Sequence, residues 1–182
     1  MDTLSYQLLV IDNKAHSLLL VNNPNGDIIA EISYPPDYNP TELLLAPDQT
    51  KAYIPAVGKN GNGALFIANL AQRSIYRLPL KIPGPTQFTL SPNGACAYFS
   101  DPAGVLYALD ILTMSSTSWG TPAKASCVGL AADSNAVYSV WEHNDQGSLA
   151  VFSHQGQLIN EYSLTGIPTN ITLDKQGHIF IR

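Results

Sequence analysis

Positive charge is scarce in this chain: nine Lys and Arg stand against fourteen Asp and Glu among 182 residues, a formal charge of −5 at pH 7. Binding to nucleic acid needs a basic surface that displaces counterions from the phosphates, so this balance argues against such a partner. Charged residues of both signs make up only 13% of the chain while 45% is hydrophobic, which describes a globular protein rich in buried sheet. Long apolar runs are missing as well. No stretch approaches the roughly 20 residues that a membrane helix requires, so no membrane span is expected. The opening Met1-Asp2-Thr3-Leu4 has neither the basic region nor the apolar stretch of a signal peptide. A complete chain would therefore be cytoplasmic, whereas a fragment of an extracytoplasmic protein would read the same way.

Cysteine is nearly absent. Cys96 and Cys127 are too few for a disulfide framework, and their apolar or small neighbours mark them as buried free thiols. Reactive motifs are absent too. There is no Gly-x-Ser-x-Gly elbow to present a nucleophile, and no Cys-x-x-Cys, His-Glu-x-x-His or Gly-rich phosphate loop. His16, His143, His154 and His178 fall in predicted turns or at strand starts, at no spacing that suits a metal, and read as solvated turn residues. Asn170-Ile171-Thr172 has the form of a glycosylation sequon, but it lies on a predicted inner strand where a glycan would not fit.

What the chain has in quantity is Gly and Pro, thirteen of each, and they punctuate a repeat. Pro40-Thr41-Glu42-Leu43-Leu44-Leu45-Ala46-Pro47-Asp48 runs on to Ala52-Tyr53-Ile54. Pro85-Thr86-Gln87-Phe88-Thr89-Leu90-Ser91-Pro92-Asn93-Gly94 runs on to Ala97-Tyr98-Phe99. The same order returns from Ala125 to Tyr138 and from Pro168 to Phe180, so the steps are 45, 40 and 43 residues. A period of about 40 to 45 residues made of short strands is the mark of propeller blades.

Each repeat reads as four antiparallel strands. The first, predicted at Thr41 to Ala46, Gln87 to Leu90, Cys127 to Ala131 and Asn170 to Leu173, is apolar enough to be covered on both faces. A turn of Asp, Asn and Gly leads to a second strand with Tyr53, Tyr98, Tyr138 and Phe180 in matching register, a ring for packing between sheets. A polar loop, a third strand and a more polar fourth strand complete the unit. Arg73, Arg77 and Lys81 recur at even spacing on one fourth strand, where they serve either as edge charges against intermolecular pairing or as a basic contact stripe.

The expected architecture is all-β: a single β-propeller domain or propeller fragment of about four blades. Its repeats are 6–34, 40–80, 85–119 and 125–164, with a partial one at 168–182. The first repeat lacks an opening strand, and the last supplies a spare one followed by a surplus strand at His178 to Arg182. An open stack would leave apolar blade faces in water. They would be covered by a small closed ring, by a second copy in a homo-oligomer, or by the remainder of a longer chain.

Pro-Thr, an apolar strand, Ser-Pro-Asn-Gly and Ala-Tyr-Phe together resemble the YVTN-type family of bacterial propeller repeats, akin to lactonase-like and YncE-like propellers. The resemblance covers residues 40–181 well and 6–34 loosely. It departs at Ala125-Ser126, which replaces Pro-Thr, and no Tyr-Val-Thr-Asn string occurs. Members usually hold about seven blades, and the resemblance implies the fold more than any activity.

Two readings of function follow. In the preferred one the chain is a non-enzymatic binding module, because its repeats carry packing and turn residues without a reactive set. Its contact surface would be a loop face holding Asp37, Tyr38, Lys59, Asn60, Asp101, Glu142, His143 and Asp145, and its partner a protein or a small polar ligand. In the alternative it is a calcium-dependent lactonase-like hydrolase. The position after each Pro-Thr, occupied by Glu42, Gln87, Cys127 and Asn170, would face a central channel. Glu42, Gln87 and Asn170 would then ligate the cation, with His143 as the proton carrier. One carboxylate is a low count for a calcium site.

Overall fold

The computed structural model describes residues 7–22, 25–120, 125–174 and 176–182, and every regular element among them is a strand. Eighteen strands follow one another: β1 Gln7–Asp12, β2 Ser17–Asn22, β3 Ile28–Ser33, β4 Tyr38–Pro40, β5 Leu44–Leu45, β6 Lys51–Gly58, β7 Asn62–Asn69, β8 Ser74–Pro83, β9 Gln87–Leu90, β10 Cys96–Ser100, β11 Leu106–Asp110, β12 Ser116–Trp119, β13 Ser126–Ala132, β14 Val137–His143, β15 Gln146–Phe152, β16 Leu158–Leu164, β17 Ile171–Leu173 and β18 Ile179–Ile181. Two compact units result, residues 1–81 and 82–182.

In the first unit β1-β2-β3 form one sheet and β4-β6-β7-β8 another, with β5 also paired to β6. Leu18, Leu20 and Ile32 of the first sheet meet Ile54, Ala56 and Phe66 of the second in one core. In the second unit two four-stranded sheets, β12-β11-β10-β9 and β13-β14-β15-β16, are joined by the hairpin β17-β18. Strand β13 runs beside both β9 and β17, so the first strands of successive sheets lie next to one another. Tyr98, Trp119, Val137, Trp141 and Phe152 fill the space between the two four-stranded sheets. Sequential four-stranded antiparallel sheets with adjacent first strands are propeller blades, as the repeat required.

Burial follows position in the blade. In β7 six consecutive residues are buried, whereas in β16 six of seven are exposed, the outer-strand polarity expected of Leu158–Leu164. Gly129 permits the close approach of first strands: a Cβ there would stand 2.9 Å from the Ile171 amide nitrogen and 3.0 Å from Val140 Cγ2. It follows a bulge in β13, where the register skips between Cys127 and Gly129.

The Pro-Thr signature now has a cause. The Thr41 amide and Oγ1 both donate to the Pro55 carbonyl, at 2.9 and 3.2 Å. Thr86 does the same to Ser100, at 2.8 and 3.4 Å, and Thr169 to Arg182, at 2.6 and 3.4 Å. Each threonine thus clamps the entry of a first strand onto the end of the second. The turns that follow are closed just as locally, since Asp48, Asn93, Asp133 and Asp174 each accept a backbone amide two residues on.

Several expectations need correction. The first strand expected over Thr41 to Ala46 is broken into β4 and β5. Pro40 opposes Ala56 and Leu44 opposes Tyr53, leaving three residues against two. The bulge forms where Pro55 has no amide to donate to the ladder. Arg73 lies outside β8, in the preceding turn with φ 52°, so only Arg77 and Lys81 can share that strand's face. Tyr53 and Tyr98 are buried as packing rings, but Phe180 is 54% exposed on a hairpin that pairs with no further described strand. Of the two free thiols, Cys127 is buried and Cys96 only half-buried.

Candidate functional sites

Strand ends carry the candidate sites, and antiparallel blades have two. At one end lie the loops between second and third strands, where the polar contact face was expected. The first unit places four of its residues together. The Lys59 ammonium sits 2.8 Å from Asp37 Oδ1, with the two side chains 71% and 69% exposed, and the Lys59 amide donates to the Asp37 carbonyl at 2.9 Å. The Lys59 hydrogen bond holds the Asp37 carboxyl below its ordinary range. Asn60 Oδ1 accepts from the Asn62 amide at 3.3 Å, closing the loop locally. Tyr38 stands edge-on to Phe66, and its hydroxyl accepts a 2.7 Å hydrogen bond from Arg77, whose guanidinium also lies 5.3 Å from the ring centre.

In the second unit Asn144 and Asp145 form a two-residue turn between β14 and β15, both with positive φ, as a tight hairpin of this hand demands. Asp145 is exposed, Glu142 half-buried, and His143 exposed at the end of β14, not in the turn expected for it. His143 Nε2 lies 2.8 Å from Asn144 Nδ2. Asp101 does not belong to an open face. It is 4% exposed; Oδ1 accepts the Ala103 and Val105 amides at 2.9 Å each, and Oδ2 accepts the Tyr107 hydroxyl at 3.0 Å. The carboxylate expected to meet a partner instead closes its own loop.

The residues expected to ligate a cation are divided between the units. Glu42 is exposed between β4 and β5 of the first, while Gln87 opens β9 and Asn170 precedes β17 in the second. Asn170 Oδ1 accepts the Ile171 amide at 2.7 Å, which occupies one of its lone pairs. Cys127 is held in its thiol form by burial, which pushes its pKa up to about 11. Among the described residues no three His, Cys, Asp or Glu side chains gather as metal ligands.

The opposite strand ends of the second unit hold a feature the sequence did not disclose. A cleft of about 340 Å³ opens between the β9–β10 and β13–β14 turns, lined by Pro92, Ala95, Cys96, Tyr98, Asp133 and His154 among others. Burial, reinforced by the neighbouring Cys96 thiol, pushes the Tyr98 hydroxyl well above the ordinary phenol range. It stays protonated and lies 2.8 Å from His154 Nδ1. Burial opposes the charge on Asp133, but the Asn135 and Ala136 amides, the Tyr138 hydroxyl and nearby His154 outweigh it, so its pKa lies below the usual range. Tyr98 in β10 and His154 in the turn after β15 are 56 residues apart, and no sequence motif joins them.

No protein-family model matches the sequence, and no curated protein is significantly similar to it. Among solved structures, a chain of hydrazine synthase from Kuenenia stuttgartiensis superposes with a TM-score of 0.74 at 14% identity, over 94% of this chain and 50% of that one. The likeness establishes the fold alone. This chain spans half the length of that neighbour, and many other solved chains share the fold, so architecture does not select an activity. No described helix is long and apolar enough to cross a membrane.

Proposed function

We propose that this chain is a non-enzymatic binding module whose blades present polar loops to a protein or small polar ligand. The observation that carries this reading is the loop at Lys59. Its ion pair with Asp37 is too exposed to add much to stability, yet two backbone hydrogen bonds hold the loop in place, Lys59 to Asp37 and Gly61 to Gly58. Rigidly mounted, exposed polar groups on a packed scaffold are the ordinary anatomy of a contact surface. Elsewhere the acids that would serve catalysis are engaged: Asp48, Asp101, Asp110, Asp133 and Asp174 each accept amides of their own turns. The Pro-Thr and Ser-Pro-Asn-Gly strings support placing the repeats beside the YVTN-type propellers, on residues rather than on overall similarity.

The competing reading is a calcium-dependent lactonase-like hydrolase using Glu42, Gln87 and Asn170. It draws support from the adjacency of first strands in the second unit. It is weakened by a donor set of one carboxylate and two amides, little charge for a hard divalent cation. Melting curves with calcium and with chelator separate the two, combined with a hydrolysis assay on a simple lactone. The binding reading expects no shift at millimolar calcium and no hydrolysis. A rise of several degrees with calcium, abolished by Glu42→Gln and accompanied by lactone turnover, would overturn it.

A further inference from the structure

The cleft of the second unit lies at the strand ends opposite the loops between second and third strands, and none of the proposed contact residues lines it. We propose that it binds a small organic cation, an amine carried on an apolar body.

The walls set the shape and polarity of the guest. Pro92, Ala95, the Cys96 thiol and the rings of Tyr98 and His154 offer an apolar, polarisable surface, and the volume of about 340 Å³ suits a small molecule. The Tyr98 hydroxyl, kept protonated by burial, lies 2.8 Å from His154 Nδ1, and this hydrogen bond fixes that ring against Tyr98, with centroids 5.9 Å apart. The site is therefore formed before any ligand arrives, which lowers the cost of binding.

The charge comes from Asp133. Among the described residues it is the one carboxylate in the lining and no Lys or Arg accompanies it, and its lowered pKa keeps it ionised at neutral pH. Oδ1 is engaged by the Asn135 and Ala136 amides at 2.7 and 2.8 Å, while among the described residues Oδ2 accepts only the Tyr138 hydroxyl, at 3.0 Å, which leaves it a lone pair for an ammonium. Asp133 also lines a second cleft, of about 510 Å³, beside Asp174, so the carboxylate is reachable from two sides. Over residues 82–182 the sequence sets five Asp and two Glu against only Lys124, Lys175 and Arg182, a charge of −4 that draws cations toward this unit and repels anions.

The test is a calorimetric and NMR titration of the whole chain at neutral pH with three probes of equal shape: phenethylamine, 2-phenylethanol and phenylacetate. Phenethylamine should bind at least about tenfold more tightly than either control, and should shift the His154 ring signals. Asp133→Asn, which keeps the Oδ1 acceptor for the turn amides, should weaken amine binding about tenfold or more. Ala95→Trp, a substitution at a wall position that leaves the turn acid intact, should abolish it. Equal affinity for amine and alcohol, preference for phenylacetate, no binding of phenethylamine, or binding that survives Ala95→Trp would each overturn the proposal. None of these results bears on the Lys59 loop, so its reading stands or falls by its own experiment.

Discussion

Replacing Thr86 with Val should destabilise the second unit by breaking the clamp between its first and second strands. The Thr86 hydroxyl lies 2.9 Å from Ser100 Oγ and 3.4 Å from the Ser100 carbonyl, and Ser100 is fully buried. Losing one such hydrogen bond costs about 1 kcal/mol, and leaving the buried serine hydroxyl short of a partner adds up to about 1 kcal/mol. In a chain of this size that sum lowers the melting temperature by about 2–8 °C. Thr86→Ser keeps the hydroxyl and should stay close to the parent. A double-mutant cycle with Ser100→Ala should show coupling of at least about 0.5 kcal/mol. The corresponding losses at Thr41 and Thr169 should be smaller, because among the described residues their hydroxyls make one hydrogen bond each, at 3.2 and 3.4 Å. Thermal and urea melts followed by tryptophan fluorescence read all of these. If Thr86→Val melts with the parent, or Thr86→Ser falls as far as Thr86→Val, the clamp is not what Pro-Thr is for.

Gly156 has φ +84°, and a Cβ there would lie 2.6 Å from the Trp119 indole nitrogen, so Gly156→Ala should cost about 2–3 kcal/mol from left-handed strain and overpacking together, measurable by urea melt. A mild effect would mean that Trp119 can move aside. Asp48, Asp133 and Asp174 have folded-state pKa values below the ordinary 3.8. Their stabilising effect is complete above that unfolded value and disappears as pH falls through the lower folded values, so melting temperature should hold near neutrality and drop in acid below about pH 4. Charge-neutralising Asn variants at these positions should flatten the acid limb, and an unchanged limb would refute the assignment. Burial keeps Cys127 a thiol, so iodoacetamide at mildly alkaline pH should label half-buried Cys96 first and Cys127 only after unfolding. Equal labelling in native protein, read by mass spectrometry, would contradict the packing around β13.

Local rules were legible in the sequence wherever one residue type has one cheap use. Asp133-Ser134-Asn135 announced a turn because its carboxylate closes the loop on its own amides. Asn144-Asp145 sat in a predicted hairpin loop and adopts the two positive φ values such a turn requires. Asp101 shows where such reasoning stops. Its place in a polar loop suggested exposure, but the same acid that suits a surface also suits capping, and neighbouring chain buries it. Pro55 is a second such case. The repeat placed a second strand around Tyr53, and only the pairing revealed that the missing amide of Pro55 breaks the strand opposite.

By itself the sequence determined the all-β class, the blade period and nearly every turn, because these depend on residues within one hairpin of each other. Tertiary structure alone decided which polar groups remain available. His154 meets Tyr98, and Asp133 joins them at one cleft, because sheets 40 residues apart in sequence pack with their turn ends side by side. Such a meeting is set by the stacking of blades through Trp119, Trp141 and Phe152. Stacking depends on the shapes of buried side chains, which carry no periodic trace of what they bring together at the rim.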